Sequence, residues 1–271
     1  MCETKKVTDR ISTFFLDMDG VLYIGDAPIR GAAETIAHLR RKGKKIIFMT
    51  NNSMYTRRAY VRKLARIGIP AIESEIVASA YATMLYLLKR APRARVYVVG
   101  GQGLKEELAQ GGFRIVSEGR AEDADFVVAG LDRTINYRKL AAGVRALLAG
   151  AEFIATNTDA VYPTEDGISP GAGAIVGALS MSSGKQPKVV IGKPSLNMVK
   201  LALEIVRSKP SETAIVGDKL STDVQVGKRA GLKTILVLSG VTSRRDLKKI
   251  KDLRKMPDMV IPSIKNLMVR K

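Results

Sequence analysis

Phe14-Phe15-Leu16-Asp17-Met18-Asp19-Gly20-Val21-Leu22-Tyr23 is the stretch on which the reading of this chain turns. The apolar run from Ile11 to Leu16 reads as a short buried strand, and Gly20 lets the chain turn sharply as it ends. In an open α/β sheet, ligands bind in the crevice at the carboxyl ends of the strands. Asp17 then falls at a strand tip, and Asp19 lies on the next turn, able to fold back over the same point. One carboxylate can attack while the other moves a proton, and an Asp nucleophile beside a hard cation suits phosphoryl transfer. An Asx-type turn after a strand accounts equally well for so short a motif taken alone.

Three further segments repeat the arrangement. Lys45-Ile46-Ile47-Phe48-Met49 is an apolar run ending in Thr50-Asn51-Asn52-Ser53, with a basic helical segment from about Thr56 to Ile67 behind it. Hydroxyl and amide groups at a strand tip beside a helix N-terminus form a phosphate-oxygen site, although Asn and Ser are also ordinary helix caps. Val189-Val190-Ile191-Gly192-Lys193-Pro194 places an ammonium group after a strand and before a helix opened by Pro194-Ser195. Thr213-Ala214-Ile215-Val216-Gly217-Asp218 ends a fourth strand on a carboxylate, and Asp223 follows where a helix starts. Paired carboxylates there suit Mg2+, which prefers oxygen ligands; cap and macrodipole roles are the plain alternative.

The succession DMDGVLY, TNNS, GKP and GDKLSTD resembles the haloacid dehalogenase superfamily of phosphohydrolases, nearest to its NagD-type nucleotidase, p-nitrophenyl phosphatase and phosphoglycolate phosphatase branch. The resemblance implies an α/β fold, a doubly wound parallel Rossmann-like core with a smaller α/β cap inserted. It implies a Mg2+-dependent phosphatase acting on small phosphorylated metabolites. Asp17 would be the nucleophile that becomes an aspartyl phosphate, and Asp19 the general acid and base with its backbone carbonyl on the metal. Thr50 and Asn51 would hold the transferring phosphoryl group, with Asn52 close by, and Lys193 would neutralise charge on nucleophile and phosphate. Asp218 would bind Mg2+ directly and Asp223 directly or through water, alongside Asp17. Ser221 stands where the family often has an acidic residue, and both motif aspartates remain.

Strands and helices alternate over residues 14–78 and again over 186–238, with strands at Val189–Ile191, Thr213–Val216 and Thr234–Val237, as expected of a parallel doubly wound sheet. Asp258 to Pro262 would add a late strand and Ile264 to Val269 a closing helix. Residues 80–184 form a second strand-and-helix series, giving a core of 1–79 and 185–271 around an 80–184 cap. The glycines of Gly101-x-Gly103 lack the third member of a dinucleotide fingerprint. The segment from Asn157 to Gly173 is polar, rich in Gly and Pro, and long for an internal connection. In the similar phosphatases the corresponding cap loop selects the leaving group, which makes Asn157, Asp159 and Tyr162 candidates for that contact. The other reading is a surface loop capped by Asn157 with Tyr162 packed beneath it.

Composition narrows the class. The 271 residues suffice for two domains, and Cys2 alone allows no intramolecular disulfide, in line with a reducing compartment. Met1 to Lys6 lacks the apolar region of a secretory leader, and no apolar run nears the roughly 18 residues of a spanning helix. A cytoplasmic protein without membrane attachment is expected. The net charge is +19, yet residues 80–184 carry 11 basic and 11 acidic side chains, so the excess lies wholly outside that segment. A basic surface binding nucleic acid or phosphate without turnover is the competing function, but base-stacking aromatics are not interleaved with the basic residues and Trp is absent. A phospho-receiver domain is a further alternative, against which Asp19 and the large insert argue. Similar capped enzymes often pair through their caps, so a homodimer is the expected assembly.

Overall fold

The computed structural model describes residues 9–164 and 167–268, so Cys2, Glu165, Asp166 and Val269 lie outside the described residues. The chain divides into two compact units. One runs through Thr50 and takes in Val61–Val77 and the chain from Lys193 onward; the other comprises Asn51–Tyr60 and Ala78–Gly192.

The strands of the first unit's main sheet are β1 (Thr13–Asp17), β4 (Lys45–Thr50), β5 (Ile76–Ala78), β13 (Thr213–Gly217), β14 (Lys233–Val237) and β15 (Met259–Ile261). A two-stranded antiparallel hairpin, β2 (Tyr23–Ile24) and β3 (Ala27–Pro28), follows the first of them. The sheet order is β15-β14-β13-β1-β4-β5, with β1 parallel to both β13 and β4. A central parallel strand is covered on both faces and so reads as a continuous apolar run. Phe14, Phe15 and Leu16 are accordingly fully buried, in register with Ala214, Ile215 and Val216. Chain order reverses between β1 and β13. That switch point is where ligands enter a doubly wound sheet, and both strands deliver carboxylates to it.

Gly20 is required there twice over. Its φ of +77° is left-handed, and a Cβ would lie 2.5 Å from Asp218 Oδ2.

The second unit holds β6 (Arg95–Val99), β7 (Arg114–Ile115), β8 (Phe126–Ala129), β9 (Glu152–Ala155) and β12 (Val189–Val190) in a fully parallel sheet ordered β12-β9-β8-β6-β7. Val99, Val127 and Phe153 pack against Leu147 and Leu179 of the helices Tyr137–Leu148 and Ala172–Ser183.

Several sequence expectations are corrected here. Val189–Val190 does not extend the first sheet; it pairs with β9, so the second unit reaches Gly192 rather than ending at 184. A two-residue apolar strand carries no signal of which sheet will pair with it. The stretch after Asn157 is not irregular throughout: β10 (Val161–Thr164) and β11 (Gly167–Pro170) form an antiparallel hairpin. Pro163 and Pro170 mask it, since proline is confined to strand edges. Pro194 is not a first helical residue. Ser195 caps Leu196–Val206, its hydroxyl accepting from Asn197 N–H at 3.4 Å, and the proline sits outside the helix. The closing helix is a short 3-10 turn, Ile264–Leu267.

Buried Asp132 in the second unit accepts from Thr134 N at 2.8 Å, Thr134 Oγ1 at 2.7 Å and Lys139 Nζ at 2.8 Å. Burial pushes its carboxyl up, but Lys139 and Thr134 outweigh that and hold it below the usual range. A depressed folded pKa contributes stability above the unfolded value of about 3.9, lost as pH falls through the folded one. Asp132→Asn is therefore expected to destabilise the protein at neutral pH, with the deficit closing as urea unfolding is repeated at progressively lower pH below about 4. A deficit that does not depend on pH would assign the effect to packing.

Candidate active site

Four strand or loop ends of the first unit bring charge to one place. Asp17 ends β1, Asp218 follows β13, and Asp223 lies in the π-helical turn Leu220–Val224 before the helix Gln225–Ala230. Lys193 is 3% exposed, and its Nζ donates to Asp17 Oδ1 at 2.7 Å and to Asp223 Oδ1 at 2.6 Å. One carboxylate oxygen from each of Asp17, Asp218 and Asp223 lies within 4.8 Å of the others. Backbone groups orient two of them. Val241 N donates to Asp218 Oδ2 at 2.7 Å, and Lys219 N to Asp223 Oδ2 at 3.3 Å, with Thr222 Oγ1 adding a 3.1 Å bond. Thr50 is buried at the tip of neighbouring β4.

Burial pushes the Asp17 carboxyl well above its usual range; Asp223 and Asp218 push the same way, and Lys193 opposes them. Asp218 is raised to about 6 by burial and by Asp223. Burial alone would lower the Lys193 ammonium, but Asp17 and Asp223 raise it, so it stays charged. With all three carboxylates ionised, as a bound cation would favour, they and one ammonium leave an excess of two negative charges, the complement of one divalent cation. An all-oxygen donor set selects a hard one. The residues present thus fit a metal such as Mg2+.

The Asp19 carboxylate is not part of that acidic group. Its loop is closed by Gly20 N donating to Tyr23 O at 2.8 Å, and burial raises its pKa against the opposing charges of Lys63 and Lys193. Lys63 was not distinguishable in sequence from the other basic residues of the helix Arg57–Arg66. In the fold its Nζ donates to Gly25 O at 2.8 Å and lies 4.1 Å from the Tyr23 ring centroid, bracing the hairpin beside Asp19.

The remaining candidates belong to the second unit. Asn51 Nδ2 donates to Asp159 Oδ2 at 2.8 Å, and Asn157 Nδ2 donates to Asn51 O at 2.7 Å. Asn157 is 3% exposed and its Oδ1 accepts from Asp159 N at 3.0 Å, the capping arrangement. Asn52 Oδ1 accepts from Met54 N at 2.9 Å. Thr56 caps the helix Arg57–Arg66, accepting from Ala59 N at 3.2 Å. Tyr162 lies on β10 opposite Ser169 and lines a cavity of about 370 Å³ with Leu131, Ile135 and Ile175. The Gly101-x-Gly103 glycines serve close packing: a Cβ on Gly103 would lie 2.3 Å from Met54 O.

Residues 14–114 match the family described as haloacid dehalogenase-like hydrolase, and residues 190–267 match a HAD-hydrolase-like family. The 5'-nucleotidase YutF of Bacillus subtilis is 38% identical over 86% of this chain and 90% of its own length. Phosphoglycolate phosphatase 2 of Arabidopsis thaliana is 39% identical over 90% of this chain and 88% of its own. The chain belongs to the haloacid dehalogenase-like hydrolase family. Among solved structures of the family, the p-nitrophenyl phosphatase from Archaeoglobus fulgidus superposes with a TM-score of 0.88 at 38% identity, covering 95% of this chain and 98% of that one. The membership extends to the NagD-like branch, and the chain is one of its phosphomonoester hydrolases. Among the described residues no helix is long and apolar enough to cross a membrane.

Proposed function

We propose that this haloacid dehalogenase-like hydrolase is a Mg2+-dependent phosphatase that cleaves small phosphomonoesters through an aspartyl phosphate on Asp17. The observation carrying this reading is the meeting of Asp17, Lys193, Asp218 and Asp223 at the sheet's switch point. Asp17 attacks phosphorus as the ester P–O bond breaks, and Asp19 protonates the departing alkoxide. In the second step Asp19 takes a proton from water, whose oxygen attacks the aspartyl phosphate and releases inorganic phosphate. Lys193 holds the Asp17 carboxylate in place and balances charge on the phosphoryl group. Thr50 and Asn51, with Asn52 nearby, bind the phosphoryl oxygens. Asp17, Asp218, Asp223 and the Asp19 carbonyl would hold Mg2+, which supplies positive charge opposite the phosphoryl oxygens.

The second unit acts as the specificity-setting cap, with Tyr162 the residue offered to the leaving group. The relatives' nucleotide, glycolate and nitrophenyl names support a small soluble substrate. A cytoplasmic enzyme that pairs through its cap completes the reading, and light scattering on the purified protein tests the pairing.

Phosphate release with Mg2+ is the direct test, using p-nitrophenyl phosphate, phosphoglycolate and a nucleoside monophosphate. Excess chelator is expected to abolish turnover and Asp17→Asn to reduce it to background. Asp218→Asn should raise the Mg2+ concentration needed for half-maximal rate, because one anionic ligand is lost. Unchanged turnover in chelator, or by Asp17→Asn, would remove the basis of the proposal.

A further inference from the structure

The Thr156–Asp159 turn of the second unit gathers two separate stretches of chain, and a third joins through Asn51. The Asn51 carbonyl accepts from Asn157 Nδ2 at 2.7 Å and from Ser79 Oγ at 2.6 Å. The Asn51 side chain donates to Asp159 Oδ2 at 2.8 Å. Gly192 N donates to Thr156 O at 2.8 Å, and a Cβ on Gly192 would lie 2.7 Å from both Asn51 Oδ1 and Thr156 O and 2.9 Å from Asn157 Cβ. Ser79, Thr156 and Asn157 are all buried. The chain enters the second unit at Asn51, re-enters it at Ala78 and leaves it at Gly192. Asn51 and Gly192 are bonded to or packed on this turn, and Ser79, next to Ala78, is bonded to Asn51.

Two of the three stretches continue directly into site residues. Thr50 is joined by one peptide bond to Asn51, and Lys193 by one to Gly192. Asn157 bonds the Asn51 carbonyl and also packs against Gly192. Both ends of its carboxamide are engaged, Nδ2 on Asn51 O and Oδ1 on Asp159 N. A carboxamide so placed is committed to the chain, not to a leaving group.

We propose that Asn157 is a positioning residue for the phosphoryl transfer. By pinning the Asn51 carbonyl to the turn on which Gly192 also seats, it sets where Thr50 and Lys193 stand at their own end of the peptide bond. This rests on the phosphatase reading above and assigns Asn157 a role other than leaving-group contact. Asp159, bonded to Asn51, shares the task. Tyr162, on the hairpin, does not.

The test compares folded Asn157→Asp, Gly192→Ala and Tyr162→Ala proteins with wild type on p-nitrophenyl phosphate, phosphoglycolate and a nucleoside monophosphate. Asn157→Asp keeps the acceptor toward Asp159 N and turns the donor facing Asn51 O into a repelling oxygen. Its kcat should fall about 10²-fold, the scale of a misplacement of roughly 1 Å. KM should change little, and the losses should be equal for all three substrates. Gly192→Ala should give the same pattern from the other side of the turn, and it stands as the test if Asn157→Asp does not fold. Tyr162→Ala should instead reorder the substrates. Substrate-dependent losses in Asn157→Asp would overturn the proposal in favour of leaving-group contact. Wild-type kcat in either turn variant would overturn it outright. Failure of the wild-type protein to hydrolyse any phosphomonoester would instead sink the phosphatase reading, and this inference with it.

Discussion

Asp19→Asn is expected to release p-nitrophenol from p-nitrophenyl phosphate in a single burst and then stall as phosphoenzyme. The reasoning depends on the leaving group. When Asp17 attacks phosphorus, the ester oxygen departs with a negative charge unless a proton reaches it. p-Nitrophenolate leaves readily as the anion, whereas a glycolate or sugar hydroxyl does not. Burial raises the Asp19 pKa, so its carboxyl is disposed to carry the proton that an alkoxide needs. General acid catalysis contributes typically ~10²–10⁴-fold. The variant should therefore lose about that factor in the first step with phosphoglycolate and far less with p-nitrophenyl phosphate. Hydrolysis of the aspartyl phosphate needs Asp19 again, now as base, so turnover should stop after one equivalent of p-nitrophenol. Rapid-quench measurement of nitrophenol, with mass detection of the phosphorylated chain, reads both quantities. Equal losses on the two substrates with no phosphoenzyme would show that Asp19 is structural.

Lys193→Met should cost about 3–5 kcal/mol of stability, the range for breaking a buried ion pair by removing one partner. The methionine fills similar volume, so the loss isolates charge from packing. Lys193 and Asp223 are 3% and 1% exposed, and the ammonium is bonded to Asp17 as well. Without it, two buried carboxylates face each other and Asp218 with no cation between them. The sign of the pH dependence follows from Asp17. Its folded pKa is already raised and would rise further, so between the unfolded pKa and the folded one the folded state holds a proton that the unfolded chain has lost. The deficit should be largest above that raised pKa and shrink as pH falls, to its least below about 4, where both states become protonated. Urea unfolding in chelator-containing buffer measures it, and adding Asp223→Asn to the variant should return part of the loss. A deficit under about 1 kcal/mol, the size of an exposed pair, would mean that the ammonium is solvated and not committed to Asp17.

The core motifs were legible in sequence because each carries its own local signal. Phe14 to Leu16, Ile46 to Met49 and Ala214 to Val216 are buried on both faces, so burial leaves a continuous apolar run in each case. Asp17, Thr50 and Asp218 then stand at strand ends that any reading of those runs would mark. Other residues were harder to place. Nothing local separates Lys63 from Arg62, or states that the Val189–Val190 pair would join Glu152–Ala155. Hairpin β10–β11 was hidden by its prolines, and Asn157 read as a loop polar residue although it is buried and fully bonded.

By itself the sequence determined the main strands of the first unit's sheet, the doubly wound class, and the aspartates, threonine and lysine that carry the proposed chemistry. These depend on hydrophobic period and on residue type at a strand end, which neighbouring residues settle among themselves. Tertiary structure alone decided that Lys193 lies between Asp17 and Asp223, residues 176 and 30 positions away, and that Asn51 and Gly192 meet on one turn, with Ser79 bonded to Asn51. Those contacts exist only after distant segments have paired, and a short strand or a polar side chain bears no mark of the partner it will find.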